Sequence, residues 1–261
     1  MRDSWIKKLR ALLEKGETED LKSALALASF HIDHSTRKEA ELRLMLDGIG
    51  RNIPIPYIIG YTLVCGLKIS LNKDVLNPGP ETVALIEMAS EYVVKYHSSQ
   101  ILDLCTGSGA VAIVLARKCN GNIVATDISE KALAIAKFNA SENKVAINFM
   151  HGDLFEPVRG MVFDVIVTNP PYVKSGAINL LPGFVRDFAP LTAIDGGDDG
   201  LFFHRAILSG AKDFLRPGGS LFVECEDDQD KDVEELAAKS GWDTRRRLTN
   251  RHGNTRGFMF T

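Results

Sequence analysis

The chain has few cysteines, no long apolar run and no histidine motif typical of a metal site, and each absence excludes a class of protein. Of its 261 residues 4 are cysteine, and none forms a C-x-x-C pair or has a histidine partner at metal spacing: Cys65, Cys105, Cys119 and Cys225. We therefore expect reduced thiols and no bound metal. No run approaches the ~20 apolar residues that a membrane-spanning helix needs.

A basic excess is also missing. The chain carries 31 Lys and Arg against 34 Asp and Glu, a formal net charge of −3. This balance argues against a generic nucleic-acid binder, because a basic excess supplies that affinity. The first residues, MRDSWIKKLRALLEKGE, mix charges throughout and lack the apolar core of a signal peptide. We expect a cytoplasmic protein that does not associate with membranes.

Three segments of different character are present. Residues 1–50 predict a small helical unit, in which Leu9 and Leu13 have amphipathic spacing. Residues 51–80 are rich in Pro, Gly and β-branched residues and predict a β-hairpin linker. Residues 81–261 alternate helical and strand patterns, which predicts an α/β domain with a doubly wound, mostly parallel sheet.

A glycine-rich turn follows the first strand of the predicted α/β domain. The strand ILDLC runs into TGSGAVAI, where Gly107 and Gly109 permit a tight turn and close approach of a ligand to the backbone. NAD-binding units and purely structural turns can share this pattern. Asp103 sharpens the interpretation, because a carboxylate suits a ligand with a sulfonium and an ammonium group better than it suits a pyrophosphate.

Two further carboxylates end the next strands. Asp127 ends the second strand, where an acidic residue can hydrogen-bond ribose hydroxyls. The third strand ends in Gly152-Asp153-Leu154, where Asp153 suits an adenine amino group and Leu154 can cover the ring. Turn or cap chemistry is the alternative for Asp103 and Asp153. Together the three carboxylates predict a ligand at the carboxyl edge of the sheet.

The fourth strand ends at Asn169-Pro170-Pro171-Tyr172. Two prolines stop a strand and leave carbonyl groups free as acceptors. The side-chain carbonyl of Asn169 and the backbone carbonyl of Pro170 can both accept from one NH2 group and stabilise the positive charge that develops on it during methyl transfer. Tyr172 offers a flat face to a planar amide or base. A strand-ending turn without chemistry is the alternative.

In this order DLCTGSG, Asp127, GD and NPPY resemble the class I S-adenosylmethionine-dependent methyltransferases that act on planar nitrogens. The flanking segments PIPYIIGY, VLNPGPET and VRDFAPLTAIDGGDDGL resemble one branch, the HemK/PrmC-type peptide chain release factor N5-glutamine methyltransferases, over about residues 52–261. The resemblance implies a seven-stranded Rossmann-like sheet. It also implies that a methyl group is transferred from S-adenosyl-L-methionine to the glutamine of the Gly-Gly-Gln motif in a release factor. The cofactor product is S-adenosyl-L-homocysteine. We expect a monomer that makes no direct contact with nucleic acid.

The resemblance also implies which residues form the site. The residues that hold the glutamine are Asn169, Pro170, Pro171 and Tyr172. The residues that it implies for cofactor binding are Cys105, Thr106, Gly107, Ser108, Gly109, Asp127 and Leu154. With the strand-end residues, the full set that we expect to bind the cofactor also includes Asp103, Ile128, Asp153 and Asn169.

Two other functions stay open. NPPY is shared with N6-adenine DNA methyltransferases, so an enzyme that methylates nucleic-acid bases is the second. Gly79 and Ala189 stand where the family usually has Arg and Glu, so a catalytically impaired S-adenosylmethionine-binding protein is the third. Glu226 departs from the family pattern as well.

Two further segments lie outside the motifs that predict the methyltransferase site. Residues 173–200 form a long loop, and we expect a substrate-side lid because long loops in compact domains are usually functional. Residues 245–247 are three consecutive arginines. They predict a solvated edge strand, with contact to a protein factor or RNA as the alternative.

Overall fold

The structure, a computed structural model, describes residues 7, 9–11, 13, 14 and 21–261, so part of the predicted unit 1–50 lies outside the described residues. Within that unit the chain forms helices α1 (Leu21–His34) and α2 (Lys38–Gly50), and a short helix α3 (Ile55–Ile59) follows. These helices share one apolar core, made of Leu9, Leu13, Leu27, Ala28, Ile32, Met45, Ile49, Ile55 and Tyr61.

The predicted β-hairpin is confirmed. Strands β1 (Tyr61–Val64) and β2 (Leu67–Ser70) pair antiparallel. The turn between them consists of Cys65 and Gly66, with φ of 48° and 80°. Positive φ at both turn residues is typical of the type I′ turn, whose twist matches that of the two strands.

The hairpin contributes to two cores. Tyr61 is buried in the core of the helical unit, whereas Val64 and Ile69 are buried in the core of the α/β domain. The linker therefore packs against both units, and the division of the chain at residues 50 and 80 stays a prediction.

The α/β domain is built on a seven-stranded sheet. The strands are β3 (Gln100–Leu104), β4 (Asn122–Asp127), β5 (Asn148–His151), β6 (Phe163–Thr168), β7 (Leu215–Glu224), β8 (Thr244–Thr249) and β9 (Thr255–Phe260). Their order in the sheet is β5-β4-β3-β6-β7-β9-β8. Strands β3 to β7 are parallel and β9 is antiparallel to β7 and β8. The predicted mostly parallel, doubly wound sheet is thus confirmed.

Helices cover both faces of the sheet because successive residues of a buried strand point to opposite sides. On β3, Ile101 joins one apolar core while Leu102 and Leu104 join the other. The helices that flank the sheet are α4 (Pro80–Tyr96), α5 (Ala110–Lys118), α6 (Glu130–Glu142), α7 (Phe202–Gly210) and α8 (Asp230–Lys239). The first core takes side chains from α4, α5 and α6, and the second from α7 and α8.

The topology creates a binding position at one place. From β3 the chain proceeds outward through β4 to β5, then crosses back to β6 on the other side of β3. The loops after β3 and β6 therefore lie side by side where the strand order reverses, and ligands of open α/β sheets bind at such points. No helix among the described residues is both long enough and apolar enough to cross a bilayer.

Candidate functional site

A cleft lies at the carboxyl ends of β3, β4 and β6. It encloses about 910 Å³ of space free of protein atoms, part of which is open to solvent. The predicted site residues in its lining are Cys105, Thr106, Gly107, Ser108, Asp127, Ile128, Asp153, Leu154, Asn169 and Pro171. The other predicted residues, Asp103, Gly109, Pro170 and Tyr172, lie outside the lining.

Asp127 joins the loops that follow β3 and β4. One carboxylate oxygen accepts from the backbone N–H of Gly107 at 2.8 Å, and the other accepts from that of Ser129 at 2.9 Å. Burial raises the pKa of this carboxyl group. The hydroxyl of Ser129 accepts from the N–H of Ala132 at 3.2 Å, which makes Ser129 the N-cap of α6. The glycine loop is thus fixed by a carboxylate that also faces the cleft.

The cleft contains two strained backbone positions. Cys105 and Leu154 have φ of 61° and 42° although neither is glycine. For a residue with a Cβ the left-handed region costs roughly 1 kcal/mol or more, and such residues cluster at functional sites. Gly109 has a different role, because a Cβ there would come within 3.0 Å of the Cβ of Ala136. Gly109 therefore permits α5 to pack closely on α6.

Asp103 is completely buried beneath the glycine loop and does not face the cleft. One carboxylate oxygen accepts from the Thr106 hydroxyl and from the backbone N–H of Ala112. The other oxygen has no hydrogen-bond partner in the described part of the chain. Burial raises the pKa of Asp103 to about 7. The structure thus gives Asp103 the turn and cap chemistry that the sequence left open as the alternative.

The NPPY segment is anchored by residues distant in sequence. The side-chain nitrogen of Asn169 donates to the Thr82 hydroxyl at 3.0 Å, and that hydroxyl donates to Glu224 at 2.9 Å. The phenol of Tyr172 donates to the other oxygen of Glu224 at 3.1 Å. Burial raises the pKa of Glu224 to about 7 and that of Tyr172 well above its usual value. Sequence reasoning missed both Thr82 and Glu224 as site residues.

The loop 173–200, which contains the short helices Gly183–Arg186 and Leu191–Ile194, packs against the backbone of the NPPY segment. A Cβ added to Gly196 would lie 2.7 Å from the Cα of Tyr172. Gly200 is so close to Tyr172 that an added Cβ would lie 2.4 Å from the carbonyl oxygen of Tyr172. The same loop lines the cleft through Pro190, Thr192 and Ala193. It is thus one wall of the site, while its closure over a substrate stays a prediction.

The linker supplies another wall that the sequence did not predict. Val75, Leu76 and Pro78 line the cleft. The phenol of Tyr57 donates to the carbonyl of Val75 at 3.1 Å and accepts from the N–H of Asn77 at 3.2 Å. Burial raises the pKa of Tyr57 to about 12, so its proton is held at neutral pH. The short helix α3 therefore positions this wall.

Glu226, which departs from the family pattern, forms an ion pair with Arg256. The side chain of Arg256 is only 12% exposed and that of Glu226 is 37% exposed. A carboxylate thus neutralises a largely buried guanidinium next to the strand end that carries Glu224.

The three consecutive arginines on β8 are paired with carboxylates. Arg246 contacts Glu91 at 2.8 Å, and Arg247 forms an ion pair with Glu234. Arg245 lies 3.6 Å from Asp243. These pairs favour the interpretation of this segment as a solvated edge strand.

The chain is similar to known methyltransferases in both sequence and fold. The model of the methyltransferase small domain family matches residues 81–187. A release factor glutamine methyltransferase of Thermodesulfovibrio yellowstonii is 37% identical over 193 residues, which cover 72% of this chain and 69% of that protein. One of Agrobacterium fabrum is 34% identical over 230 residues, which cover 85% of this chain and 79% of that protein.

A solved structure supports the fold alone. A methyltransferase from Pyrococcus furiosus aligns with a TM-score of 0.55 at 20% identity, over 76% of this chain and 89% of that one. The two release factor glutamine methyltransferases are more similar in sequence. Each is more than 30% identical to this chain, and the matched region covers more than two thirds of its length. The chain therefore belongs to the release factor glutamine methyltransferase family.

Proposed function

We propose that this protein transfers a methyl group from S-adenosylmethionine to the side-chain amide nitrogen of the glutamine in the Gly-Gly-Gln motif of a peptide chain release factor, in the cytoplasm. The observation that carries the proposal is the setting of Asn169. Its amide nitrogen is tied to Thr82, so its oxygen is the atom left to hold a substrate NH2 in the cleft. The relatives that share the chain's family carry this activity in their names.

The cleft fits the proposed cofactor. Asp127 and Asp153 supply negative charge and acceptors, which suit a ligand with cationic groups and ribose hydroxyls. Ile128 and Leu154 are apolar walls, and Ile128 is 58% exposed, which leaves it free to cover a purine ring. A Cβ added to Gly107 would meet no atom within 4 Å, so the glycine loop leaves open space beside it.

S-adenosylmethionine supplies, when bound, a methyl group made electrophilic by the attached sulfonium. A glutamine amide is a poor nucleophile because its nitrogen lone pair is delocalised. The side-chain oxygen of Asn169 accepts an N–H group of that amide and stabilises the positive charge that develops on nitrogen. The backbone carbonyl of Pro170, which lies outside the lining of the cleft in this structure, is the second acceptor that the family resemblance implies. These residues act by positioning, and the excess proton leaves after methyl transfer.

Methylation of adenine or guanine in nucleic acid is the second candidate, because its substrate also presents a planar NH2 group. The net charge of −3 argues against it. The ion pairs of Arg246 and Arg247 argue against it as well, because these two guanidinium groups are already paired with carboxylates.

The test is mass spectrometry of a purified release factor incubated with the protein and isotopically labelled S-adenosylmethionine. One labelled methyl on the Gly-Gly-Gln peptide is expected, and Asn169→Ala should lower the rate about 100-fold or more because a charge-stabilising acceptor is lost. Asn148→Ala, on an exposed position of β5, is the matched control. Transfer to DNA or RNA with none to the release factor would reject the proposal. Cofactor binding by calorimetry with no turnover would instead favour the impaired protein.

A further inference from the structure

A buried chain of hydrogen bonds connects Glu224 to both polar side chains of the NPPY segment. Thr82, in the first turn of α4, donates its hydroxyl proton to one carboxylate oxygen of Glu224 at 2.9 Å. Tyr172 donates its phenolic proton to the other oxygen at 3.1 Å. Asn169 donates to the Thr82 hydroxyl at 3.0 Å. Glu224 is 2% exposed and Thr82 is 5% exposed, so the loss of one of these partners leaves a buried polar group unsatisfied.

The direction of each bond follows from the number of protons available. An ionised carboxylate only accepts, so Glu224 takes the single hydroxyl proton of Thr82. The Thr82 oxygen can then only accept from Asn169, and an asparagine side chain has donors on its nitrogen alone. The nitrogen of Asn169 must therefore face Thr82, and its oxygen is directed to the other side.

We propose that Thr82 and Glu224 are positioning residues for methyl transfer, which fix the side-chain amide of Asn169 with its oxygen available to the substrate. The inference rests on the proposed function, since it concerns how Asn169 is held for that reaction. If Asn169 rotated by half a turn about its side chain, its NH2 group would oppose the NH2 group of the glutamine. Donor would then face donor, and the acceptor that stabilises the developing charge would be lost.

The surroundings of Glu224 make the arrangement sensitive to its ionisation. Burial raises its pKa to about 7, with Arg256 of β9 acting to lower it and Glu81 of α4 acting to raise it. The His204 ring bonds to the backbone carbonyl of Glu224 at 2.9 Å and burial lowers the pKa of His204 to about 4, so this ring is neutral at pH 7. A protonated Glu224 that donates to Thr82 leaves the hydroxyl proton of Thr82 free to face Asn169, which removes the constraint on the Asn169 side chain.

The decisive comparison is between Thr82→Val and Thr82→Ser. Valine has nearly the same shape without the hydroxyl, whereas serine keeps the hydroxyl and loses only a methyl group. With a release factor as substrate, we expect Thr82→Val to lower kcat about tenfold or more, with the KM for S-adenosylmethionine within about twofold of the wild-type value. Thr82→Ser should retain most of the wild-type kcat. Wild-type kcat in Thr82→Val, or equal losses in the two variants, would overturn the inference.

A second readout does not depend on catalysis. In 1H–15N spectra the side-chain amide of Asn169 is the resonance pair lost in Asn169→Ala. We expect this pair to keep its position in Thr82→Ser, and to shift and exchange faster with solvent in Thr82→Val. If wild-type protein fails to methylate a release factor while this pattern holds, the proposed function fails, whereas the orientation of the Asn169 amide by Thr82 stands. An unchanged resonance pair in Thr82→Val rejects the positioning role alone.

Glu224→Gln provides the test should Thr82→Val fail to fold. Glutamine can accept at one oxygen only and presents its NH2 group to the second hydroxyl, so one of the two bonds is reversed. We expect the wild-type kcat to fall as pH drops below about 7, and Glu224→Gln to have a lower kcat that has lost this acid limb. An acid limb that persists unchanged in Glu224→Gln would overturn the assignment.

Discussion

Asn139 of α6 forms two hydrogen bonds with the backbone of Ser70 in the hairpin. Its oxygen accepts from the N–H of Ser70 at 2.8 Å, and its nitrogen donates to the carbonyl of Ser70 at 3.0 Å. The same nitrogen donates to the carbonyl of Ser108 in the glycine loop at 2.9 Å. One buried side chain therefore connects the linker to the loop that lines the cleft.

Replacing Asn139 should weaken both the fold and the cleft. In Asn139→Ala the backbone N–H and carbonyl of the half-buried Ser70 and the buried carbonyl of Ser108 lose their partner, so we expect the free energy of unfolding in urea to fall by ~2–4 kcal/mol. Affinity for S-adenosylmethionine, measured by calorimetry, should fall too because Ser108 lines the cleft. Asn148→Ala at an exposed position should change stability by less than about 0.5 kcal/mol. Equal effects of the two substitutions would contradict the role of Asn139.

A comparison of Gly200 with Gly218 separates the energetic cost of a steric clash from the cost of a left-handed backbone conformation. Their φ values are 75° and 81°, but an added Cβ would lie 2.4 Å from the carbonyl oxygen of Tyr172 at Gly200 and within 4 Å of nothing at Gly218. Gly218→Ala should cost only the left-handed conformation, roughly 1 kcal/mol. Gly200→Ala should cost at least about 2 kcal/mol more, because backbone must move. It should also lower the rate of methyl transfer. Thermal unfolding and kcat of both variants are the measurements.

The half of the site that follows strand ends was predictable from the sequence. Gly107 and Asn169 each lie just beyond a short apolar run. The first run is followed by a glycine-rich turn and the second by two prolines. Parallel strands bring such ends to one edge, so local motifs were enough to place Asp127 and Leu154 in the same cleft.

The other half depends on long-range packing, which leaves no local pattern. Val75 lines the cleft only because the linker folds back on the sheet, and Thr82 reaches Asn169 across 87 positions of sequence. For Asp103 the sequence gives the strand but not the side to which the residue points. Glu224 did carry a signal, because a carboxylate that ends the apolar strand LFVE needs hydrogen-bond partners when it is buried.

The ion pair of Glu226 and Arg256 should contribute to stability although Glu226 departs from the family pattern. Arg256 is largely buried and its Nε already lacks a partner in the described part of the chain. Because Glu226 is partly exposed, we expect Glu226→Ala to lower the free energy of unfolding by only ~1–2 kcal/mol. A double-mutant cycle with Arg256→Met measures the coupling directly. A coupling energy near zero would show that the pair is neutral.

The buried carboxyl of Asp103 should make stability depend on pH. Its pKa is about 7 in the folded protein and 3.8 in its ordinary environment. Between these values the folded protein retains a proton that the unfolded chain releases, so stability is greatest at the acid end and falls as pH rises toward 7.

Asp103→Asn removes this titration while keeping an acceptor oxygen. Urea unfolding at several pH values from about 4 to 7.5 should therefore show a less negative slope of stability against pH in the variant, the difference being at most ~1.4 kcal/mol per pH unit. Burial also raises the pKa of Glu224 and lowers that of His204. Both groups are present in the two proteins, so their contributions to the pH dependence of stability cancel in the comparison. Parallel curves for the two proteins would mean that Asp103 is ionised in the folded state across this range.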